Sequence, residues 1–140
     1  MKQTTPTLLG LGGLIPFVLL TGLSLLGPAP WREFVMTALL AYGAVILSFL
    51  GGITWGLAVD EKLTRRPIYL ASMVPFFAAW LALLLQPLAG LILLACAFLA
   101  ALANDFMLKR AGLSPQWFMT LRLSLTAVVV TCLVLAAFGT

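Results

Sequence analysis

Five long apolar runs, parted by short breaks rich in proline and charge, dictate what this chain can fold into. They lie at about residues 8–26, 34–59, 68–85, 88–108 and 117–138. Each is close to, or longer than, the roughly 20 residues a helix rising about 1.5 Å per residue needs to cross a ~30 Å hydrocarbon core. The expected fold is all-α: one transmembrane domain over residues 1–140, a compact bundle of five spans. The second run is the longest and is expected to tilt or to extend past the interface.

The breaks are chemically clear. Pro28-Ala29-Pro30-Trp31-Arg32 stops the first helix and sets a Trp at the interface. Residues 60–67, Asp-Glu-Lys-Leu-Thr-Arg-Arg-Pro, form the strongly charged loop. Gln86-Pro87 divides the third span from the fourth, and Lys109 to Gln116 divides the fourth from the fifth. Proline ends helices because it lacks an N–H and clashes with the preceding turn. Pro16 and Pro75, inside the first and third spans, are expected to kink them, and Gly10, Gly12 and Gly13 to make the start of the first pliant. Lys2 and the apolar run after it have the look of a secretory leader. The run is too long for one and lacks a small-x-small cleavage site before Pro28, so it is read as a span.

Charge gives the orientation. With five spans, Lys2, Lys62, Arg65, Arg66, Lys109, Arg110 and Arg122 fall on one side and Arg32 alone on the other, seven of eight basic residues together. Basic loops stay in the cytoplasm. The N-terminus is therefore expected to be cytoplasmic and the C-terminus periplasmic, in a bacterial inner membrane. No internal repeat of the inverted-transporter kind is visible.

Composition narrows the function. Of the 140 residues 63% are hydrophobic and 9% charged, against about a quarter charged in a soluble domain. The basic residues mark topology and form no nucleic-acid-binding stripe. There is no histidine, hence neither the commonest general base nor the commonest metal ligand. Cys96 and Cys132 lie in apolar runs without a Cys-x-x-Cys pair and are read as small apolar fillers. No metal or cofactor is indicated, and nothing calls for catalysis: there is no nucleophile–base pair and no phosphate-cradling loop.

Two constellations stand out. In the second span Ala44, Ser48, Gly52 and Gly56 recur every four residues, a small-xxx-small face ending in a GxxxG. Beside it lie Gly51, Trp55 and Phe49. The plain reading is helix packing. The functional one is a crevice for a lipid, a quinone-like molecule or another apolar ligand, floored by glycine and walled by Trp55 and Phe49. In the fourth span Ala97, Ala101 and Asp105 share that spacing, with Asn104 adjacent, and Arg122 enters the fifth span at similar depth. An Asp at membrane depth needs a partner, and Asp105 and Arg122 are natural ones. The pair either pins two helices or forms a polar site inside the bundle, which Ser72 of the third span could join.

The run Tyr42-Gly43-Ala44-Val45-Ile46-Leu47-Ser48-Phe49-Leu50-Gly51-Gly52-Ile53-Thr54-Trp55-Gly56 resembles the signature of the transmembrane protein 69 family. Residues 9–17 and 72–80, which carry Pro16 and Pro75, resemble its flanking blocks. Asp105 and Leu121-Arg122 stand where its later polar positions are expected, and Thr54 at one expected to vary. The family joins small bacterial membrane proteins of unknown function with a mitochondrial protein of animals. The resemblance covers nearly the whole chain and implies a bacterial inner-membrane location, with no activity attached.

The expected function is non-enzymatic binding or assembly, using a cytoplasmic-side site between the second, fourth and fifth spans. Its residues are Ser48, Gly51, Gly52, Trp55, Gly56, Ser72, Asn104, Asp105 and Arg122. Membrane lipids, a second copy or another membrane protein are the expected partners, and nucleic acid is not. The alternative is a carrier of a small or lipid-like molecule, and an intramembrane enzyme acting on a lipid or quinone ranks third.

Overall fold

The computed structural model describes residues 4–59 and 66–140. Its helices are α1 (Thr4–Gly12), α2 (Ile15–Leu26), α3 (Arg32–Val59), α4 (Arg66–Leu84), α5 (Pro87–Arg110) and α6 (Gln116–Phe138), with a short 3-10 turn at Ala29–Trp31. Counting α1 with α2 as one span, five segments among the described residues are long and apolar enough to cross a membrane. Of the topology signals, Lys2, Lys62 and Arg65 lie outside the described residues.

The first span is broken, not merely bent. The Gly13 N–H still reaches Leu9 O at 3.0 Å, but the Leu14 N–H turns to Leu11 O at 3.1 Å and α2 starts afresh at Ile15. Pro16 then sits in the first turn of α2, where its missing N–H leaves no bond unmade. The Gly13 carbonyl freed by the break accepts the Tyr42 hydroxyl of α3 at 2.7 Å. An apolar setting requires such a partner, because an unpaired backbone group in lipid costs several kcal/mol. Pro75, by contrast, lies buried within a continuous α4. Between α4 and α5 the chain turns at Gln86, whose extended backbone (φ −60°, ψ 152°) leads into Pro87 as the first residue of α5.

Two helices organise the rest. α3 packs against α2, α4 and α5, α5 packs against α3, α4 and α6, and α2 reaches α6. The side chains between them are large and almost fully buried: Phe17, Leu39, Leu47, Leu91, Leu94, Phe98 and Leu133. Phe17 joins three helices, meeting Tyr42 edge-on at 5.0 Å between ring centroids and Phe98 at 6.1 Å. Cys96 and Cys132 are free thiols. Outside, Leu26, Phe34, Phe49, Trp80, Met107 and Phe138 are exposed. So large an apolar surface is suited to lipid, not water.

The glycine that brings α3 and α4 together is Gly51. A Cβ there would lie 2.6 Å from the Ser72 carbonyl oxygen and 3.6 Å from Pro75. Gly90 plays the same part between α5 and α4, 2.6 Å from Ala82 O. Gly52 and Gly56 are exposed, and among the described residues a Cβ on either would meet nothing within 4 Å. Within one chain, then, the close approach falls to Gly51, one residue out of register with the Ala44–Ser48–Gly52–Gly56 face.

A pair of alanine variants tests this. Both gain about 1 kcal/mol of helix propensity. Gly51→Ala should nevertheless lower the unfolding midpoint in detergent, since overpacking against backbone costs about 1–3 kcal/mol. Gly52→Ala should hold or raise it. Equal midpoints for the two would contradict the assignment.

Candidate functional site

The strongest polar feature is made by α5 and α6. Arg122 Nε donates to Asp105 Oδ2 at 2.6 Å, and the two residues are only 5% and 7% exposed. α5 supplies Asp105 on the face that carries Ala97 and Ala101, all three buried. Ion pairing offsets the cost of two charges in an apolar bundle, and the pair as a whole is neutral.

The pair is not fully satisfied. Among the described residues, Arg122 Nη2 is buried without a hydrogen-bond partner, and so is Thr126 Oγ1, one turn further along α6. Thr126 is the exception on its own helix. Thr120, Ser124 and Thr131 each fold back onto the carbonyl one turn earlier, at 3.1, 3.1 and 2.7 Å. Thr126 is the most deeply placed of the four, at 1% exposure, and its hydroxyl has no partner among the described residues.

Arg122 and Thr126 both line a cavity of about 390 Å³. α1 and the start of α2 form one wall with Leu9, Gly10 and Phe17. Ile46, Phe49 and Ile53 of α3 form a second, and Trp117, Leu121 and Leu125 of α6 a third, with Phe98 of α5 between them. The break at Gly13–Leu14 also borders it. An apolar chamber with a few convergent polar groups is the usual form of a small-molecule site. A second cavity of similar volume, between α5 and α6, is walled by apolar side chains and the Cys96 thiol, and offers no comparable donor.

The residues singled out from the sequence fall into three places. Asp105 and Arg122 meet, and Asn104 next to them donates to Thr54 of α3 at 3.2 Å, tying α5 to α3. Gly51 and Ser72 lie buried at the α3–α4 contact, where the Ser72 hydroxyl bonds Tyr69 O at 2.6 Å instead of joining the ion pair. Trp55, half-exposed, packs edge-on against Tyr69 of α4 at 4.9 Å. Gly52 and Gly56 face outward and Ser48 is partly buried. Phe49 does wall a cavity, but the glycines on it are Gly10 and Gly13 of the first span, not Gly52 and Gly56. Sequence reasoning missed Phe17, Phe98 and Thr126. Of these Thr126 left a signal, lying four residues after Arg122 and hence on the same face of the helix.

Residues 2–138 match the family described as "Protein of unknown function (DUF3429)", and the chain belongs to it. "Transmembrane protein 69" of Xenopus tropicalis is 41% identical over 131 residues, which is 90% of this chain and 51% of the relative. "Transmembrane protein 69" of Mus musculus is 33% identical over 123 residues, 84% of this chain and 49% of the relative. The chain thus spans about half the length of these curated relatives. No solved structure matches.

The ion pair makes a firm energetic prediction. Asp105→Leu or Arg122→Leu alone strands a buried charge and should cost about 3–5 kcal/mol of stability. The double variant should cost much less than the sum, because both charges leave together. Additive losses in unfolding measurements on the full cycle would show that the pair does not form.

Proposed function

We propose that this member of the DUF3429 family is a non-enzymatic binding protein of the membrane, which holds a small apolar molecule in the cavity between α1–α2, α3 and α6. The observation that carries the reading is an apolar chamber whose wall includes Arg122 and Thr126, residues whose Nη2 and Oγ1 atoms are buried with no hydrogen-bond partner among the described residues. Buried donors of this kind ordinarily have partners, and a bound molecule would supply them. Asp105 acts by neutralising and orienting Arg122. Compared with the site expected from sequence, this one keeps Asp105 and Arg122 and exchanges the glycine crevice for α1 and α2.

Assembly of a larger membrane complex is compatible with the same reading. The outward Gly52 and Gly56 leave α3 a smooth face toward lipid, where another helix can approach. A carrier role is the second reading. The break between α1 and α2 at the cavity's edge favours it, since a short helix joined at Gly13–Leu14 is a natural hinge.

Native mass spectrometry of the protein gently extracted from its own membrane tests the proposal. A small molecule should be retained in stoichiometric amount, and Ile53→Trp, which fills the cavity, should lose it while the protein still folds. Retention unchanged in that variant would move the site elsewhere. A stoichiometric protein partner with no small molecule would favour assembly instead.

We also propose a bacterial inner-membrane location with the N-terminus cytoplasmic, on the strength of the Lys and Arg distribution. Alkaline phosphatase fused after Thr140 should then be active, and a fluorescent protein fused there dark. The reverse pattern would invert the topology.

A further inference from the structure

We infer that the cavity selects an uncharged carbonyl group on a slender apolar body, such as an ester or a quinone ring, over a carboxylate and over plain hydrocarbon. This inference rests on the binding reading above and adds the ligand's chemistry. Three observations support it.

First, Arg122 and Thr126 of the cavity wall carry buried atoms, Nη2 and Oγ1, that have no partner among the described residues and can both donate. A guanidinium N–H has no acceptor capacity, so whatever meets Arg122 Nη2 must bring a lone pair. The Thr126 hydroxyl, released from the back-bond its neighbours on α6 make, can donate to the same group. A pure hydrocarbon would fill the chamber and leave both unsatisfied.

Second, the charge is already spent. Asp105 lies 2.6 Å from Arg122 Nε, and Arg122 is the one charged side chain on the described wall. A carboxylate entering beside that pair would leave a net negative charge at membrane depth, which is costly. A neutral carbonyl accepts the same hydrogen bond without that penalty.

Third, the rest of the wall suits a flat or narrow body. Phe17, Phe49, Phe98 and Trp117 offer ring faces and edges, and about 390 Å³ is too small for a whole two-chain lipid. Trp117 also supplies a reporter within the cavity wall.

The test uses the full chain in detergent micelles and three probes that share a twelve-carbon chain with a terminal bromine, which quenches tryptophan on contact. They are methyl 12-bromododecanoate, 12-bromododecanoate and 1-bromododecane. Subtracting the signal of Trp117→Phe isolates quenching at the cavity. The ester should bind at least tenfold more tightly, per mole fraction in the micelle, than either other probe. Thr126→Val, which keeps the side chain's shape, should reduce that preference several-fold, and Thr126→Ser should restore it. Unlabelled decyl-benzoquinone and methyl dodecanoate then compete against the bromo-ester, and the stronger competitor identifies a quinone-like or a lipid-ester source. Equal binding of all three probes would overturn the inference while leaving an apolar binding cavity. Preference for the carboxylate would overturn it too. No Trp117-dependent quenching by any probe would remove both the inference and the binding site beneath it.

Discussion

The contact between Asp105 and Arg122 joins two charges inside a bundle whose surroundings are hydrocarbon. Neither charge is tolerable there alone. Their meeting at 2.6 Å therefore constrains more than a side-chain pair. It fixes the rotation of α6 against α5, because a modest turn of either helix would separate the groups. With that rotation set, Thr126 lies one turn along the same face, Leu133 seats in the core, and Trp117, Leu121 and Leu125 line the cavity. The position of the cavity and its polar wall follow from the pair.

Backbone chemistry shapes the opposite wall. The first span must satisfy its own hydrogen bonds and yet contains three glycines and Pro16 within seven residues. The break at Gly13–Leu14 resolves this by starting a new helix, and Tyr42 takes up the carbonyl set free. That bond attaches the break to α3. Phe17, just beyond it, packs on both Tyr42 and Phe98 and so anchors α2 in the core, while α1 packs along α6. The outcome is a span whose second helix is held in the core and whose short first helix borders the cavity.

Much of the architecture was legible in the sequence. Spans of membrane length are visible as uninterrupted hydropathy, and Gln86-Pro87 marks a turn because proline is at home in the first turn of a helix but not mid-helix. The pairing of Asp105 with Arg122 was legible for a similar reason: two isolated charges at like depth have few other partners. What could not be read is the rotational phase of α3. Gly51 and Gly52 are equivalent by composition, and spacing alone assigned the small-residue face to Gly52 and Gly56. The phase is set by Leu39, Leu47 and Thr54 facing inward, and α3 carries apolar residues nearly all round, so periodicity had little contrast. For the same reason the predicted site residues divided among three places. Pro75, expected to kink its span, lies buried inside a continuous α4, since a buried helix can pass through proline when its neighbours pack around it.

The measurement that bears most directly on the central claim is an experimental structure of the protein in a lipid nanodisc, refined for non-protein density. The account predicts elongated density between α3 and α6, with an acceptor atom at hydrogen-bonding distance from Arg122 Nη2 or Thr126 Oγ1. A cavity closed by α1 against α3, with the Thr126 hydroxyl turned back onto the Arg122 carbonyl, would contradict it.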